Sequence, residues 1–456
     1  MADTHLTQRQ RRSKFPPHFR SLARGAAIAL ALAAGGAVGQ AGAAERPPVQ
    51  DPILMIEAGM HVGVIRRAGV DEDRSLLVTG SDDKTVRVWS LPGGRLQRVL
   101  RVPIGPGEAG EVRAVAISPN GMLVAAAGWD AYYDVGQTNY VYVFNTATGA
   151  MVGRLGPLPN VIHELEFSPD GYYLVAGLGN ENGIRVWDIA SRRETYADKD
   201  YGGDVYGIAW AADGRLATTS YDGKVRLYSP ELKLVKSAKT KGGVNPSGIA
   251  FSPDGNEIAV GFIDTAAVDI LSAKDLTRQA RPDTKKVTNG NVASVAWSSD
   301  GQTLYAAGRW RTNDETPVVA WSKRGRGPMK RIGGTSDTVM DLIGGAGGDL
   351  VYGAADPQIG YFEGQTQHIW RDRVTADMRV KLDENFLISS DAQRVRFGLN
   401  FGIDEPYLFD IGMLSFNQAP KAPRDMHQPD TTKLKVADWL MRSEERRVGK
   451  ECTSVC

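Results

Sequence analysis

The sequence predicts an all-β protein, a propeller of seven or eight four-stranded blades, on three observations. Turns of the Ser-Pro-Asp-Gly type recur every forty to fifty residues between 118 and 301, with a weaker one at 390. The segments between them alternate apolar and polar residues with period two and close on an aromatic. No stretch after residue 45 sustains the 3.6-residue period of a helix. Four short strands per unit, repeated along the chain, is how a radial array of small sheets is written.

The turns come first because they set the register. They are Ser118-Pro119-Asn120-Gly121, Ser168-Pro169-Asp170-Gly171, Ala211-Ala212-Asp213-Gly214, Ser252-Pro253-Asp254-Gly255, Ser298-Ser299-Asp300-Gly301 and the weaker Ser390-Asp391-Ala392-Gln393. Proline presets φ at the second position and glycine accepts a positive φ at the fourth, so each turn joins antiparallel neighbours. The strands alternate cleanly in Val112–Ile117 and in Thr85–Trp89. The closing aromatics are Trp89, Phe144, Trp187, Tyr228, Trp321, Phe362 and Phe409, with Ile270 standing in once, which makes eight units.

Composition allows such a core and excludes several functions. Of 456 residues 42% are hydrophobic and 23% charged, so the chain is globular. The body, residues 45–439, holds 44 basic and 49 acidic side chains. A mildly acidic body has no electrostatic footprint for duplex nucleic acid, so no nucleic-acid partner is expected. Both cysteines, Cys452 and Cys456, lie in the last five residues, which leaves the body without a thiol.

The two ends read as separate from the fold. Residues 1–44 have the form of an export signal: basic Arg9, Arg11, Arg12, Lys14, Arg20 and Arg24, an apolar run over 25–39, then Ala41-Gly42-Ala43-Ala44 before Glu45. The run is shorter than the roughly 20 residues of a spanning helix, so cleavage near Ala43–Glu45 and a periplasmic or secreted bacterial location are expected, with no stable membrane span. The propeller is assigned to 51–417, a Pro-rich linker to 418–439, and a disordered or artefactual tail to 440–456.

The first unit carries a resemblance. Gly59-Met60-His61, then Ser81-Asp82-Asp83-Lys84-Thr85-Val86-Arg87-Val88-Trp89-Ser90, and the dipeptide Trp187-Asp188 in the third unit, resemble the WD-repeat (WD40) family. The resemblance implies a WD-repeat-like propeller and spans roughly 51–417. Residues 51–439 are also similar to the propeller region of exported bacterial WD-repeat proteins whose longer members carry a C-terminal caspase-like domain. The resemblance implies structural roles for His61, Ser81, Asp83 and Trp89: Asp83 pairs with His61, and the Ser81 hydroxyl bridges to the Trp89 indole. Trp187 and Asp222 are structural in the same sense, while the fourth unit keeps Ser220, Asp222 and Tyr228 but has no histidine.

Catalysis, metal and cofactor find no support in the residue pattern. A Ser81–His61–Asp83 hydrolase is the sharper reading of one triad, but a buried pair that satisfies its own polar groups is the better one. The six histidines are scattered without ligand spacing, and Asp71-Glu72-Asp73 reads as a solvated hairpin tip. Gly344-Gly345-Ala346-Gly347-Gly348 lacks the Lys-Ser or Lys-Thr of a phosphate loop. The loop between second and third strands is the decorated one: 129–138 with Trp129, Tyr132 and Tyr133, then 179–183, 309–316 with Trp310 and Arg311, and 400–405 with Phe401. These residue types are enriched at interface hot spots. They are the expected partner-binding residues of a non-catalytic scaffold for a protein or peptide in the cell envelope. The alternatives are the regulatory or sensing part of a longer caspase-like peptidase, and a propeller that binds a small molecule or sugar in its central channel.

Overall fold

The computed structural model describes residues 59–427, apart from 105–107, 131–137, 314, 345–349, 365, 370–386, 392, 398–406, 411–412, 414 and 419–423. Seven antiparallel four-stranded sheets follow one another over residues 65–369. Within each, strand order equals chain order, so tight turns suffice to join neighbours. The first strands of the blades are Ile65–Val70, Glu111–Ile117, Ile162–Phe167, Val205–Trp210, Pro246–Phe251, Ser294–Trp297 and Val339–Gly344. Each lies against the first strand of the next blade, and the seventh returns to the first. There the Ala68 N–H donates to Asp341 Oδ2 at 2.9 Å, and Ile65 packs with Val351 and Ile359.

The eight countable units are therefore seven blades and one sheet outside the ring. The eighth unit forms a separate five-stranded sheet ordered Ser415–Gln418, Tyr407–Asp410, Arg394–Phe397, Leu387–Ser389 and Met426–His427. Among the described residues none of its strands pairs with a strand of the ring. Once the seventh inner strand meets the first, the circle has no gap to fill.

The Ser-Pro-Asp-Gly turns form as their chemistry requires. The Gly121 N–H donates to the Ser118 carbonyl at 2.8 Å with φ +69°, and Gly171, Gly255 and Gly301 repeat this after Ser168, Ser252 and Ser298. The serine hydroxyl donates to the turn's Asn or Asp and accepts from the next strand's first N–H, as in Ser168 Oγ with Asp170 and Tyr173. Asp71, expected at a solvated tip, is 5% exposed, its carboxylate accepting from the N–H groups of Ser75 and Leu76 and from the Ser75 hydroxyl. Burial requires those partners, because an unpaired carboxylate there would be costly.

Packing between blades makes the core. Trp89, Trp187 and Trp321, each closing a third strand, are at most 2% exposed. Two faces result. The turns joining first to second strands lie at one; the loops joining second to third strands lie at the other, where each inner strand begins, since Ile65 pairs with Ser81 and Glu111 with Trp129. No described helix is long and apolar enough to cross a membrane.

Candidate functional site

In blade 1 four side chains form a closed relay. His61 Nδ1 lies 2.9 Å from Asp83 Oδ2, and His61 Nε2 lies 2.7 Å from Thr79 Oγ1. The Trp89 indole N–H donates to the same Thr79 hydroxyl at 2.9 Å. The bridge to the indole is thus Thr79, where Ser81 was expected. Both hydroxyls sit on one side of the strand, two residues apart, and the indole reaches the inner one. Ser81 instead donates to the Gly63 carbonyl at 2.9 Å and accepts from the Asp83 N–H. His61, Thr79 and Ser81 are fully buried, so no substrate reaches them. Burial opposes ionisation of Asp83, but His61 beside it, then its hydrogen bond and Arg87, hold its carboxyl down at about 2.

Blade 4 rebuilds this relay without histidine. Tyr201 Oη lies 2.7 Å from Thr218 Oγ1 and 2.8 Å from Tyr228 Oη, and Tyr228 donates to Asp198 at 2.8 Å. Asp222 accepts from Arg226 Nη2 at 2.6 Å, and the guanidinium lies 3.8 Å above the Tyr201 ring. Tyr201 was not singled out in the sequence. The signal was available: it stands 17 residues before Thr218, as His61 stands 18 before Thr79.

The loop residues expected to bind a partner divide. Tyr132, Tyr133 and Phe401 lie outside the described residues, as do the export segment, residues 428–456 and most of the Pro-rich stretch. Trp129 is half-buried at the end of its strand, and Arg311 is exposed. Trp310, expected as an exposed anchor, is 8% exposed and belongs to the apolar cluster containing Val287, Val292 and Trp321. Its backbone N–H donates to the Asn291 carbonyl at 2.9 Å, which folds this loop onto the preceding connection and carries the indole inward.

What this face does gather is a ring of side chains at the mouth of the channel. Six of the seven inner strands carry a register shift at the end where they begin: Ile65/Arg67, Val112/Ala114, Ile162/Glu164 against Leu178/Gly177, Val205/Gly207, Pro246/Ile249 and Val339/Asp341. The extra residues are Arg66, Arg113, His163, Tyr206, Ser247 with Gly248, and Met340. A bulge re-aims the side chain it inserts, so the same distortion repeated around the ring turns these groups toward one opening. Glycine is required where the inner strands approach closely: a Cβ on Gly344 would meet the Trp297 carbonyl oxygen at 1.8 Å, one on Gly207 that of Ser247 at 2.2 Å, and one on Gly248 that of Ala293 at 2.4 Å.

Three of the rings stack. His163 and Tyr206 lie 4.3 Å apart at 20°, and Tyr206 and Tyr221, from the next loop, 4.4 Å apart at 23°. Burial, then Arg113, Arg67 and Arg66, depress His163 to about 3, so the column is neutral at ordinary pH. The flanking guanidiniums are matched by carboxylates: Arg66 with Asp82 at 2.6 Å and Arg113 with Glu111 at 2.9 Å. Beside the column a concavity is lined by Asn180, Glu181, Asn182, Gly203, Asp204 and Tyr221. Flat aromatic faces, amide edges and the carboxylates of Glu181 and Asp204 suit a polypeptide more than a phosphate or a nucleic acid. Among the described residues no three His, Cys, Asp or Glu are grouped to hold a metal ion.

Residues 61–90, 97–132, 156–188 and 195–229 each match the family described as WD domain, G-beta repeat. The chain is similar to the small ribosomal subunit protein RACK1y of rice, 32% identical over 160 residues, 33% of this chain and 43% of that protein. It is similar to the pre-mRNA-processing factor 19 homolog 2 of Arabidopsis thaliana, 24% identical over 235 residues, 50% of this chain and 42% of the relative. The small ribosomal subunit protein RACK1 of Caenorhabditis elegans is 26% identical over 172 residues, 35% and 47% of the two chains. The chain spans less than half the length of each of these relatives. The four matched repeats fall on residues 61–229, the first four of seven four-stranded blades, and over these blades the chain is similar to WD40-repeat proteins.

Proposed function

We propose that this protein is a non-catalytic scaffold that takes a protein or peptide at the channel mouth, on the face bearing the loops between second and third strands. One observation carries the reading: six inner strands are bulged at the same end, and the bulges bring Arg66, Arg113, His163, Tyr206 and Met340 to one opening. Bulges disrupt the ladder, so their repetition is accounted for by what they present. The relay of blade 1 supports a non-catalytic role, because its hydroxyls and imidazole are consumed by one another in the core.

A displayed peptide library selected against the protein tests this. Selected peptides should lose at least tenfold in affinity with Tyr206→Ala or Tyr221→Ala, the scale of a hot-spot aromatic. Asn120→Ala and Asp170→Ala, at the opposite face, should change nothing. If those two abolish binding and the mouth variants do not, the functional face is the other one.

The envelope address is part of the proposal and rests on the composition of residues 1–44. A mature N-terminus near Glu45 in a periplasmic or secreted fraction would support it, and an intact N-terminus in the cytosol would refute it. The first alternative, a regulatory part of a longer caspase-like peptidase, draws on the resemblance alone, whereas the mouth geometry favours the scaffold.

A further inference from the structure

Behind the mouth the channel encloses a cavity of about 390 Å³, bounded largely by the inner strands of blades 4 to 7. Its size lies within the usual range for small-ligand sites. Five charged residues line it: Arg67, Glu164, Glu166, Asp341 and the exposed Arg309. Arg67 crosses from blade 1, donating from Nε to Glu164 Oε2 at 2.5 Å and from Nη2 to the Tyr206 carbonyl at 2.8 Å. Asp341 accepts from the N–H groups of Ala68 and Leu342. One guanidinium therefore meets three carboxylates, and its hydrogen bonds go to Glu164 and to backbone carbonyls.

Glu166 is the exception among the three. It has neither a hydrogen bond nor an ion pair among the described residues, and it lines the cavity half-buried. The charges that bear on it are Glu164 and Asp341, both negative, with no cation among them. A half-buried carboxylate beside two others is favoured to keep its proton or to acquire a counter-ion. A metal ion does not fit, because no three ligating side chains are suitably grouped among the described residues. Three carboxylates outnumber the guanidiniums of Arg67 and Arg309, which disfavours an anion. The remaining walls mix apolar side chains, including Ile208, Phe251, Val295 and Trp297, with polar ones such as Tyr221 and Asn291, and the apolar part suits the carbon stem of an organic ion better than a hydrated sodium or potassium.

We propose that this cavity binds one organic cation, a primary ammonium or guanidinium group, seated against Glu166. The inference rests on the peptide-binding reading only for the route by which a lysine or arginine side chain would enter through the mouth. A free alkylamine or alkylguanidine shares the chemistry. Burial, then Glu164 and Asp341, raise the Glu166 carboxyl well above its ordinary range. Binding near neutral pH then transfers the Glu166 proton to buffer as the cation takes its place, and affinity rises with pH. Glu164, raised to about 7 chiefly by burial and opposed by Arg67, and Asp341, also raised by burial, titrate in the same direction.

Calorimetry on the whole chain tests this with agmatine, acetyl-Gly-Arg-Gly-amide and its citrulline counterpart, at constant ionic strength and at pH 6 and 8. Agmatine or the arginine peptide should bind saturably and tighter at pH 8, with the citrulline peptide at least tenfold weaker. Glu166→Gln should lose at least tenfold. Glu166→Lys, which supplies the cation from within, should abolish binding while melting at or above wild type, which separates a lost site from a lost fold. Equal binding of citrulline and arginine peptides, unchanged affinity in Glu166→Gln, or no binding of either cation at about 10 mM overturns the inference. If Tyr206→Ala weakens peptides while arginine and citrulline bind alike, the cation site falls and the mouth reading stands. If agmatine binds through Glu166 and no peptide binds, the reverse holds.

Discussion

Tyr201 stands in blade 4 where His61 stands in blade 1: its hydroxyl lies 2.7 Å from Thr218 Oγ1, as His61 Nε2 lies 2.7 Å from Thr79 Oγ1. Beyond each threonine the chain reaches an aspartate four residues on and an aromatic ten residues on, Asp222 and Tyr228 or Asp83 and Trp89. Two different side chains thus serve one task, to satisfy a buried threonine and tie the connection between blades to the sheet. Tyr201→Phe leaves the Thr218 and Tyr228 hydroxyls short of a partner and should cost about 1–3 kcal/mol in denaturant unfolding. A variant as stable as wild type would show that water replaces the phenol.

Asp83→Ala should cost roughly 2–4 kcal/mol, since it removes the acceptor for His61 Nδ1, the Val62 and Thr85 N–H groups and the Thr85 hydroxyl at once. Ser81→Ala should remove no hydrolytic activity. An esterase or peptidase activity abolished by Ser81→Ala in a folded protein would overturn the structural assignment.

His163 predicts an acid limit. Its pKa in the fold, about 3, lies below the ordinary 6.5, so the unfolded chain takes up a proton first. Its contribution is present above pH 6.5 and is lost as pH falls from 6.5 toward 3. His163→Phe keeps a ring against Tyr206 and removes that proton. Its melting temperature should fall less steeply than wild type across this window, and parallel curves would show that another group sets the acid limit. Asp83, depressed to about 2 against an ordinary 3.8, acts at lower pH: its contribution is present above 3.8 and lost as pH falls through 2.

Trp310→Ala should act on stability, by about 3–5 kcal/mol, the range for removing a buried aromatic side chain. Arg311→Ala, one residue on and exposed, should stay within about 0.5 kcal/mol. Unfolding in denaturant measures both. A Trp310→Ala protein that unfolds like wild type yet loses a partner would restore the indole to the binding surface.

Removal of residues 370–456 should leave the ring intact, because blade 7 supplies its own outer strand, Thr366–Ile369, and closes on blade 1 through Asp341 and Ile65. The melting temperature should stay within about 2 °C of the full chain. A larger loss would show that the eighth sheet braces the ring.

The local chemistry of this protein was legible residue by residue. The Ser-Pro-Asp-Gly turns, the period-two strands and the aromatic at each third-strand end identified blades, because each of those signals is complete within a few neighbouring residues. The pairing of His61 with Asp83 was implied by the family resemblance of the first unit. The channel was not. Arg66-Arg67 and Val112-Arg113-Ala114 fit an unbroken strand as well as a bulged one, and only pairing with the second strand shows which residue is extra. Thr79 and Ser81 share one side of a strand, so the choice between them was left to the reach of Trp89. Trp310 lay in a long loop, where nothing local separates an exposed indole from one folded inward. The ring closes at seven although eight units can be counted, because closure depends on the angle each blade makes with the next, summed around the circle. That sum brings Asp341 to Ala68 across 273 residues and gathers Glu164, Glu166 and Asp341 around one cavity.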